Sequence, residues 1–326
     1  MEVQDGAELC FPQLLNTSCR KPTSHRFQDV LLNVVLSSIS VLTIVLNLLV
    51  IISVSHFRQL HTPTNILLLS LAVSDFLVGI VLLPGEIYLQ TQCWFLGDVM
   101  CSLYYCLLYI VFSTSVGNMV LISVDRYVAI CHPLHYPARV TVTKSKLCVL
   151  LCWFFSICYS NIITKDLLIQ PGLYNSCYGE CILIVSYIAE VVDFVVNFIA
   201  PVTAIILLYM RVFVVAVSQA HAMRSHTAAV THQQSVTQST RKSELKAART
   251  LGVLVLVFLI CFCPFYCVTL AGISPHTANL VFLIFYLNSC LNPLIYALFY
   301  PWFRKAVKHI VTLQILQPGS CEVSML

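Results

Sequence analysis

Charged side chains are scarce in this sequence. Only 10% of its 326 residues are Asp, Glu, Lys or Arg, whereas an ordinary soluble domain contains about 25%. Hydrophobic residues make up 59% of the chain, and its mean hydropathy is +0.87. This composition indicates that water is not the solvent for most of the chain.

Motifs of enzymes and of metal sites are also missing. The sequence contains no glycine-rich phosphate-binding loop and no His-Glu-x-x-His, and its His residues are scattered mainly through loops. Inverted repeats and paired broken helices, which are typical of many transporters, are not evident. We therefore expect no enzyme, and a transporter or channel is the less favoured of the alternatives.

Long apolar runs are abundant. Crossing the hydrocarbon core of a bilayer takes roughly 20 apolar residues in a helix. Runs of this kind occur near 30–55, 64–88, 99–123, 147–164, 183–215, 248–271 and 276–299. They predict an all-α membrane protein, a seven-transmembrane helix bundle at 30–300, preceded by an extracellular tail at 1–29.

The Lys and Arg residues predict the orientation of these spans. One assignment places 14 of the 18 basic residues on a single side, which is the cytoplasmic side by the positive-inside bias. The N-terminus is then extracellular, and the sequon Asn16-Thr17-Ser18 lies outside, where Asn16 is accessible for glycosylation. The net charge of +4 is therefore explained by the orientation of a multi-pass plasma-membrane protein. We expect no nucleic-acid partner.

Two cytoplasmic segments stand out. The stretch from about 217 to 243 is rich in Ser, Thr, Gln and His and predicts a mobile, basic loop. After the seventh span, residues 301–311 place aromatic and aliphatic side chains on one face and cations on another. This predicts a short amphipathic C-terminal helix lying on membrane lipid, followed by a cytoplasmic tail, so that 301–326 forms the last segment.

Few ionisable residues lie inside the spans, and each is a functional hypothesis because burying a charge in lipid is costly. Asp75 lies at mid-depth in the second span, and Asp125-Arg126-Tyr127 ends the third. The seventh span carries Asn292-Pro293-Leu294-Ile295-Tyr296. An alternative is that these polar groups only hydrogen-bond to one another and so fix the packing of the helices. This explains one of the features well and the set poorly.

Taken together, these residues resemble the markers of rhodopsin-like G-protein-coupled receptors, across essentially the entire chain. The matching positions, which fall in all seven helices, are Asn47, Asp75, Asp125-Arg126-Tyr127, Trp153, Pro201, Pro264 and Asn292-Pro293-Leu294-Ile295-Tyr296.

This resemblance implies roles for several of these side chains. Asp75 and Asn292 would form a site for a sodium ion and water; apart from this ion, no cofactor is expected. Arg126 would be the switch facing a heterotrimeric G protein, paired with Asp125 and Glu244 in the inactive state. Tyr209 and Tyr296 would move inward on activation.

A narrower resemblance comes from the run Asn288-Ser289-x-x-Asn292-Pro293-x-x-Tyr296-x-x-x-Tyr300-x-Trp302-Phe303. It is similar to the fingerprint of trace amine-associated receptors. The resemblance implies a receptor for small cationic amines, with a chemosensory (olfactory) role, that raises cAMP through a stimulatory G protein. The alternative within this fold is a receptor for a non-amine ligand.

Most of the 16 Cys residues lie in apolar spans, where they behave as small hydrophobes. Those in extracellular positions can form disulfides, although the sequence alone does not fix their connectivity. The resemblance implies a bridge from Cys101 to Cys181 and a second one from Cys19 (or Cys10) to Cys177. Cys93 is left without an assigned partner.

The sequence lacks the acid that usually binds the ligand ammonium in amine receptors. By resemblance that acid is an Asp eighteen residues before Arg126, and this position is Leu108. The third helix therefore has no counter-ion for a cation, although Leu108 is still expected to line the pocket.

The fifth helix carries acidic side chains instead. Glu190, Asp193 and Asn197 are spaced by three and four residues, so they share one stripe of the helix. A polar stripe on an apolar helix is expected to face the interior, and by resemblance Asp193 lines the amine pocket. We interpret Asp193 as the anchor of the ammonium group; the alternative is a protonated Asp193 that only hydrogen-bonds a neighbouring helix.

Aromatic side chains are expected to add cation–π contacts with the ligand, worth about 0.5–2 kcal/mol each. The candidates are Tyr105, Tyr109, Phe265, Tyr266, Phe285 and Tyr286, together with Phe262, where most of the superfamily has Trp. Glu86 is a further acidic helper near the mouth of the pocket.

Overall fold

The computed structural model describes residues 8–14, 16–21, 27–226, 235–271 and 279–325, without the side chains of 28, 29, 216, 217, 219–251 and 279. The described residues contain seven helices that are long and apolar enough to cross a membrane. These are α1 (Phe27–His56), α2 (Pro63–Thr91), α3 (Gly97–Cys131), α4 (Val142–Ile163), α5 (Tyr187–Phe194, a π turn at Val195–Ile199, and Ala200–His226), α6 (Ser235–Leu270) and α7 (Asn279–Phe299). The prediction of a seven-helix bundle is confirmed, and the amphipathic helix follows as α8 (Pro301–Val311).

Hydroxyl side chains fix the starts of three of these helices. Thr62, Thr141 and Ser186 precede α2, α4 and α5, and each side-chain oxygen accepts a hydrogen bond of 3.3 Å from the backbone N–H three residues ahead. Such N-caps satisfy a donor that the first helical turn leaves unpaired. Pro63 at the first turn of α2 strengthens that start because its fixed φ suits a helix and it has no N–H to satisfy.

The bundle buries several polar side chains within an apolar core and exposes large apolar side chains on its outer surface. α3 lies at its centre and packs against α2, α4, α5 and α6. Asn47, Asp75 and Asn118 are fully buried, whereas Leu150 and Phe154 on α4 are each 66% exposed. A soluble protein rarely exposes so much contiguous apolar surface, so the outer surface suits hydrocarbon. The buried polar groups must satisfy one another or bind something.

Three disulfides hold the extracellular side together. Cys101 at the start of α3 is bonded to Cys181 in the loop before α5. The tail is attached twice, through Cys19 to Cys177 in the same loop and through Cys10 to Cys93 between α2 and α3. The tail and the long external loop therefore form one layer over the outer end of the bundle.

The cytoplasmic ends of α5 and α6 extend further than the hydropathy pattern predicts. α5 continues to His226 and α6 begins at Ser235, so the loop expected at 217–243 is helical at both of its described ends. Polar residues can continue a helix into water because the backbone hydrogen bonds are made within the helix. The hydropathy pattern detects only the segment of a helix that lies in lipid. α8 follows the prediction, with Trp302 and Phe303 buried and Lys305 exposed.

Candidate ligand-binding site

A cavity of about 420 Å³ lies in the outer half of the bundle. Its volume falls within the range of small-molecule sites, about 300–1,000 Å³. Most of the residues predicted from the sequence line it: Glu86, Tyr105, Leu108, Tyr109, Asp193, Asn197, Phe262, Phe265, Tyr266, Phe285 and Tyr286. The cavity thus combines two carboxylates with a wall in which half of the lining residues are aromatic.

Asp193 accepts hydrogen bonds from three helices. Its Oδ1 accepts from Tyr159 Oη on α4 and from Asn197 Nδ2 on α5, both at 2.8 Å, and its Oδ2 accepts from Tyr266 Oη on α6 at 3.4 Å. An ionised carboxylate accepts hydrogen bonds and donates none. The three donors around Asp193 therefore suit its ionised form. Among the described side chains, no Lys or Arg forms an ion pair with Asp193.

The helix is locally widened at this point. Asn197 lies in the π turn Val195–Ile199 and is 8% exposed, while Asp193 is in the last turn of the regular helix before it. π turns of this kind are rare and often occur at functional sites. Within this turn, the Asn197 amide donates a hydrogen bond to the carboxylate of Asp193, four residues earlier.

Glu190 does not line the cavity, contrary to the expectation from the helical wheel. It is exposed and belongs to the first turn of α5, one turn nearer the extracellular surface than Asp193. The wheel gives the direction in which a side chain points but not its depth along the helix. Glu190 therefore lies outside the cavity that Asp193 enters.

Glu86 brings a second carboxylate into the cavity from α2. It is 6% exposed, and its Oε1 accepts a hydrogen bond of 2.9 Å from Gln90 Nε2 one turn further along. None of the described residues that line the cavity is Lys, Arg or His. The charged side chains among the described lining residues are therefore acidic.

Aromatic rings close the inner end of the cavity. Phe112 on α3 and Phe285 on α7 have ring centroids 4.3 Å apart, and Phe262 on α6 lies 4.9 Å from Phe285. Phe262 takes part in this cluster at the position where Trp was expected by resemblance. Such tilted ring pairs contribute about 0.5–1.5 kcal/mol beyond their buried area.

The residues after Cys181 cover the cavity. Ile182, Leu183 and Ile184 line it, and the Tyr105 hydroxyl on α3 donates a hydrogen bond of 3.3 Å to the Cys181 carbonyl. The disulfide to Cys101 fixes this segment against α3. The covering segment is thus positioned by covalent and hydrogen bonds from α3.

Sequence reasoning missed these loop residues and four others. Phe112, Ser113 and Val116 on α3 and Phe282 on α7 also line the cavity. The α3 residues could have been found, because Leu108, Phe112 and Val116 follow one another at helical spacing of four. The loop residues carried no such signal, since their position depends on the disulfide.

At the cytoplasmic end of α3, Arg126 is held by several acceptors at once. Its Nη2 donates to Asp125 Oδ2 at 2.6 Å, to Tyr136 Oη at 3.3 Å, and to the hydroxyl of Thr64 on α2. Tyr136, in the short helix Tyr136–Arg139, also donates to Asp125 Oδ1 at 2.9 Å. Burial raises the pKa of the Tyr136 hydroxyl above its usual value, so it stays protonated and remains a donor at neutral pH.

The other residues predicted to act at this end lie on α3, α5 and α7. Tyr209 and Tyr296 have buried hydroxyls, Pro293 lies inside α7, and the Tyr127 ring is 5.7 Å from that of His132. The side chain of Glu244 lies outside the described residues.

Asp75 and Asn292 meet in the middle of the bundle. Asn292 Nδ2 donates a hydrogen bond of 2.8 Å to Asp75 Oδ2, and both residues are at most 1% exposed. Asp75 Oδ1, Asn292 Oδ1 and Asn47 Oδ1 have no hydrogen-bond partner among the described residues. Oxygen atoms are the ligands that hard cations prefer, so these residues fit a small cation such as sodium.

Asn16 is exposed in the extracellular tail, as an acceptor of glycosylation must be. It lies between the two bridged cysteines Cys10 and Cys19. Asn16 is not among the residues that line the cavity.

Known proteins with similar sequences have the architecture described above. Residues 46–296 match the family model of the 7 transmembrane receptor (rhodopsin family). The chain is 36% identical over 333 residues to trace amine-associated receptor 13c of Danio rerio, covering 98% of this chain and 97% of that protein. It is 37% identical over 337 residues to receptor 8a of Rattus norvegicus, with 99% and 97% coverage, and 35% identical over 320 residues to receptor 1 of Mus musculus, with 94% and 96% coverage.

Proposed function

Because this chain belongs to the trace amine-associated receptors of the rhodopsin family, we propose that it senses small cationic amines by binding their ammonium group to Asp193. The chain is a multi-pass plasma-membrane receptor with its N-terminus outside the cell. The observation that carries the proposal is the placement of the Asp193 carboxylate in a cavity whose lining is half aromatic and has no described cationic residue.

The surroundings of Asp193 favour a charged ligand. A carboxylate in a partly dehydrated cavity either becomes neutral or binds a cation. Its three donors stabilise the ionised form, and an ammonium group would add charge-assisted hydrogen bonds. Rings such as Tyr109 and Phe265 line the same cavity and supply faces for cation–π contact.

Leu108 supports the assignment of the anchor to α5. It lines the cavity on α3, at the position where amine receptors usually have Asp by resemblance. A leucine cannot neutralise an ammonium group. The charge at Asp193 would therefore replace the one that α3 lacks, with the ligand bound nearer to α5.

In this proposal, Arg126 is the residue through which the receptor acts on the G protein. Its bonds to Asp125, Tyr136 and Thr64 correspond to an inactive arrangement, because they occupy the guanidinium group that would face the G protein. Amine binding would favour the state in which these bonds open, by binding that state more tightly. A stimulatory G protein, a rise in cAMP and an olfactory role complete the proposal.

A sodium ion at Asp75 would favour the inactive state. Asp75, Asn292 and Asn47 would hold it through the three oxygen atoms that have no partner among the described residues. An ion bound there supplies a positive charge that stabilises the buried carboxylate. Its release would be linked to activation, because a ligand that binds one state better shifts the population toward that state.

The test is a cAMP assay over a panel of amines in cells expressing the full chain, its Asp193→Asn variant or its Asp193→Ala variant. Truncating a buried, hydrogen-bonded charge pair costs about 2–5 kcal/mol, so the EC50 should rise about thirtyfold or more in both variants. Glu190→Gln is the matched control, because it removes an acid one turn away that does not line the cavity, and it should leave the EC50 unchanged.

Other results separate the alternatives. If amines activate and both Asp193 variants respond as the wild type does, Asp193 is not the anchor. Failure of the entire panel, with normal amounts of receptor at the cell surface, would favour a non-amine ligand. Amine-evoked flux without G-protein turnover would favour a transporter.

A further inference from the structure

The chain after α8 folds back onto the cytoplasmic loop between α1 and α2. We propose that this tail segment, residues 314–325, holds the loop (57–62) in the arrangement in which Arg126 is bonded, and so lowers signalling in the absence of ligand. The inference rests on the proposed function only where that function assigns the action on the G protein to Arg126. It does not depend on the amine or on its anchor.

Two left-handed residues let the chain reverse its direction after α8. Leu313 has a φ of 57° and Gly319 a φ of 80°. Such angles are uncommon for residues other than glycine, so the conformation at Leu313 is one that its surroundings must support. Short 3₁₀ turns follow at Gln314–Leu316 and Ser320–Glu322. The tail segment therefore has a fixed fold with its own backbone hydrogen bonds.

Ser320 joins this fold to the end of α1. Its Oγ donates a hydrogen bond of 2.7 Å to the Ile315 carbonyl and lies 3.0 Å from His56 Nε2. A hydroxyl group has one proton to donate, so Ser320 accepts from His56, whose Nε2 carries the hydrogen. Ser320 is buried, and it therefore connects both turns of the tail segment to α1.

Met325 attaches the tail segment to the loop itself. Its backbone N–H donates a hydrogen bond of 3.0 Å to Gln59 Oε1. The Met325 side chain is 2% exposed and belongs to the hydrophobic core, against which Val323 also packs. An ion pair of 3.6 Å joins Arg58 to Glu322, but both side chains are largely exposed, and such pairs contribute little. Met325 is therefore the main anchor.

The loop leads directly to the bonds of Arg126. Leu60 is fully buried, and its carbonyl accepts a hydrogen bond of 2.9 Å from Asn65 Nδ2 in the first turn of α2. The preceding residue, Thr64, donates a hydrogen bond of 2.9 Å to Asp125 Oδ2 and accepts one from Arg126. A shift of the loop is therefore expected to move Thr64 relative to Arg126.

Contacts that exist in only one of two states favour that state. The tail segment contacts the loop in the arrangement in which Thr64 bonds to Arg126, so its docking favours this arrangement. One buried side chain and a few polar contacts hold the segment, and small units of this kind open at a lower free energy than the whole fold. Its release therefore does not require unfolding of the bundle.

The first experiment places a charge at the buried anchor. Met325→Asp should release the tail segment, because burying an unpaired carboxylate is costly. Basal GTP exchange on the G protein in membranes from cells expressing the full receptor should rise about threefold, since one hydrogen bond to the loop is worth a factor of about five and part of that is transmitted. Ser324→Asp is the matched control: it adds the same charge at the exposed neighbouring residue and should leave basal exchange unchanged.

A second variant acts through the backbone. Gly319→Val puts a β-branched residue at a positive φ, which disfavours the turn, while a Cβ at this position meets no atom within 4 Å. It should raise basal exchange in the same direction, and it tests the proposal where Met325→Asp reaches the cell surface poorly. Hydrogen–deuterium exchange of residues 314–325, in receptor purified into phospholipid nanodiscs, measures docking directly. Exchange should be slower in the wild type and in Ser324→Asp than in Met325→Asp and Gly319→Val.

The outcomes separate this inference from the proposed function. If the tail amides of the wild type exchange as fast as those of Met325→Asp, the tail segment is not docked and the inference is wrong. If Met325→Asp and Gly319→Val release the segment but basal GTP exchange stays at the wild-type level while Asp125→Asn raises it, the role of Arg126 stands and the inference is refuted. If Asp125→Asn has no effect either, the assigned role of Arg126 fails and the inference fails with it.

Discussion

Tyr159 on α4 donates a hydrogen bond of 2.8 Å to the carboxylate of Asp193 on α5. Tyr159 is 7% exposed and is not among the residues that line the cavity. It therefore orients the carboxylate without occupying the space of a ligand. This relationship makes Tyr159 a positioning residue for the proposed anchor.

Tyr159→Phe is expected to raise the EC50 for amines about threefold to tenfold. A hydrogen bond to a charged group is worth about 1.5–3 kcal/mol, and part of that energy serves to hold the carboxylate in one orientation. The measurement is the concentration–response curve for cAMP. The control is Tyr187→Phe, which removes a hydroxyl from a side chain that is 78% exposed; equal EC50 values for the two variants would contradict the positioning role.

Tyr136→Phe is expected to raise signalling without ligand about fivefold. The variant loses the hydrogen bond to Asp125, and one hydrogen bond is worth about 1 kcal/mol, which changes the ratio of two states by roughly that factor. Asp125→Asn should raise it further, because it also removes the charge that holds Arg126. Basal GTP exchange on the G protein in membranes measures both effects.

The result that would contradict this prediction is unchanged basal exchange in both variants at normal receptor levels. Tyr127→Phe serves as the control. The Tyr127 ring contacts His132, and no described hydrogen bond joins its hydroxyl to Arg126 or Asp125.

Asp75→Asn is expected to abolish the sensitivity of agonist binding to sodium. In the wild type, replacing choline chloride by sodium chloride should weaken agonist binding, because the cation would hold the inactive state. Asp75→Asn removes the charge that such an ion needs. Agonist competition binding in the two salts at equal ionic strength gives the comparison, and persistent sodium sensitivity in Asp75→Asn would exclude this site.

Peptide mapping without reduction is expected to find three bridged pairs in the receptor. Removing the pair Cys10 and Cys93 together should affect surface expression less than removing Cys101 and Cys181 together. The tail would still be attached through Cys19 and Cys177, whereas the segment covering the cavity depends on the bridge at α3. A peptide joining Cys10 to Cys177 would contradict the connectivity.

The sequence predicts the bundle well because lipid imposes simple requirements. Each span needs about 20 apolar residues, so any charge inside one stands out, and Asp75, Arg126 and Asp193 were found in this way. The structure places Asp193 in the cavity and Arg126 among its acceptors. Composition and helical spacing singled out these side chains, and the resemblance to rhodopsin-like receptors implied the role of Arg126 and supported the placement of Asp193 in the pocket.

Features that depend on distant contacts were harder to predict. The partner of Cys93 is 83 residues away, and sequence spacing does not determine such a pairing. The position of Ile182–Ile184 follows from a disulfide in the same way. Glu190 was misplaced because a helical wheel carries no information about depth. The π turn at Val195–Ile199 was not predicted either.

The bridge between Cys19 and Cys177 also sets an order of events in biosynthesis. The two cysteines are 158 residues apart, so Cys19 enters the oxidising lumen of the secretory pathway well before its partner has been translated. Until then its thiol is open to exchange with other thiols, which proceeds through mixed disulfides. A disulfide isomerase in the host cell is therefore expected to raise the yield of correctly bridged receptor.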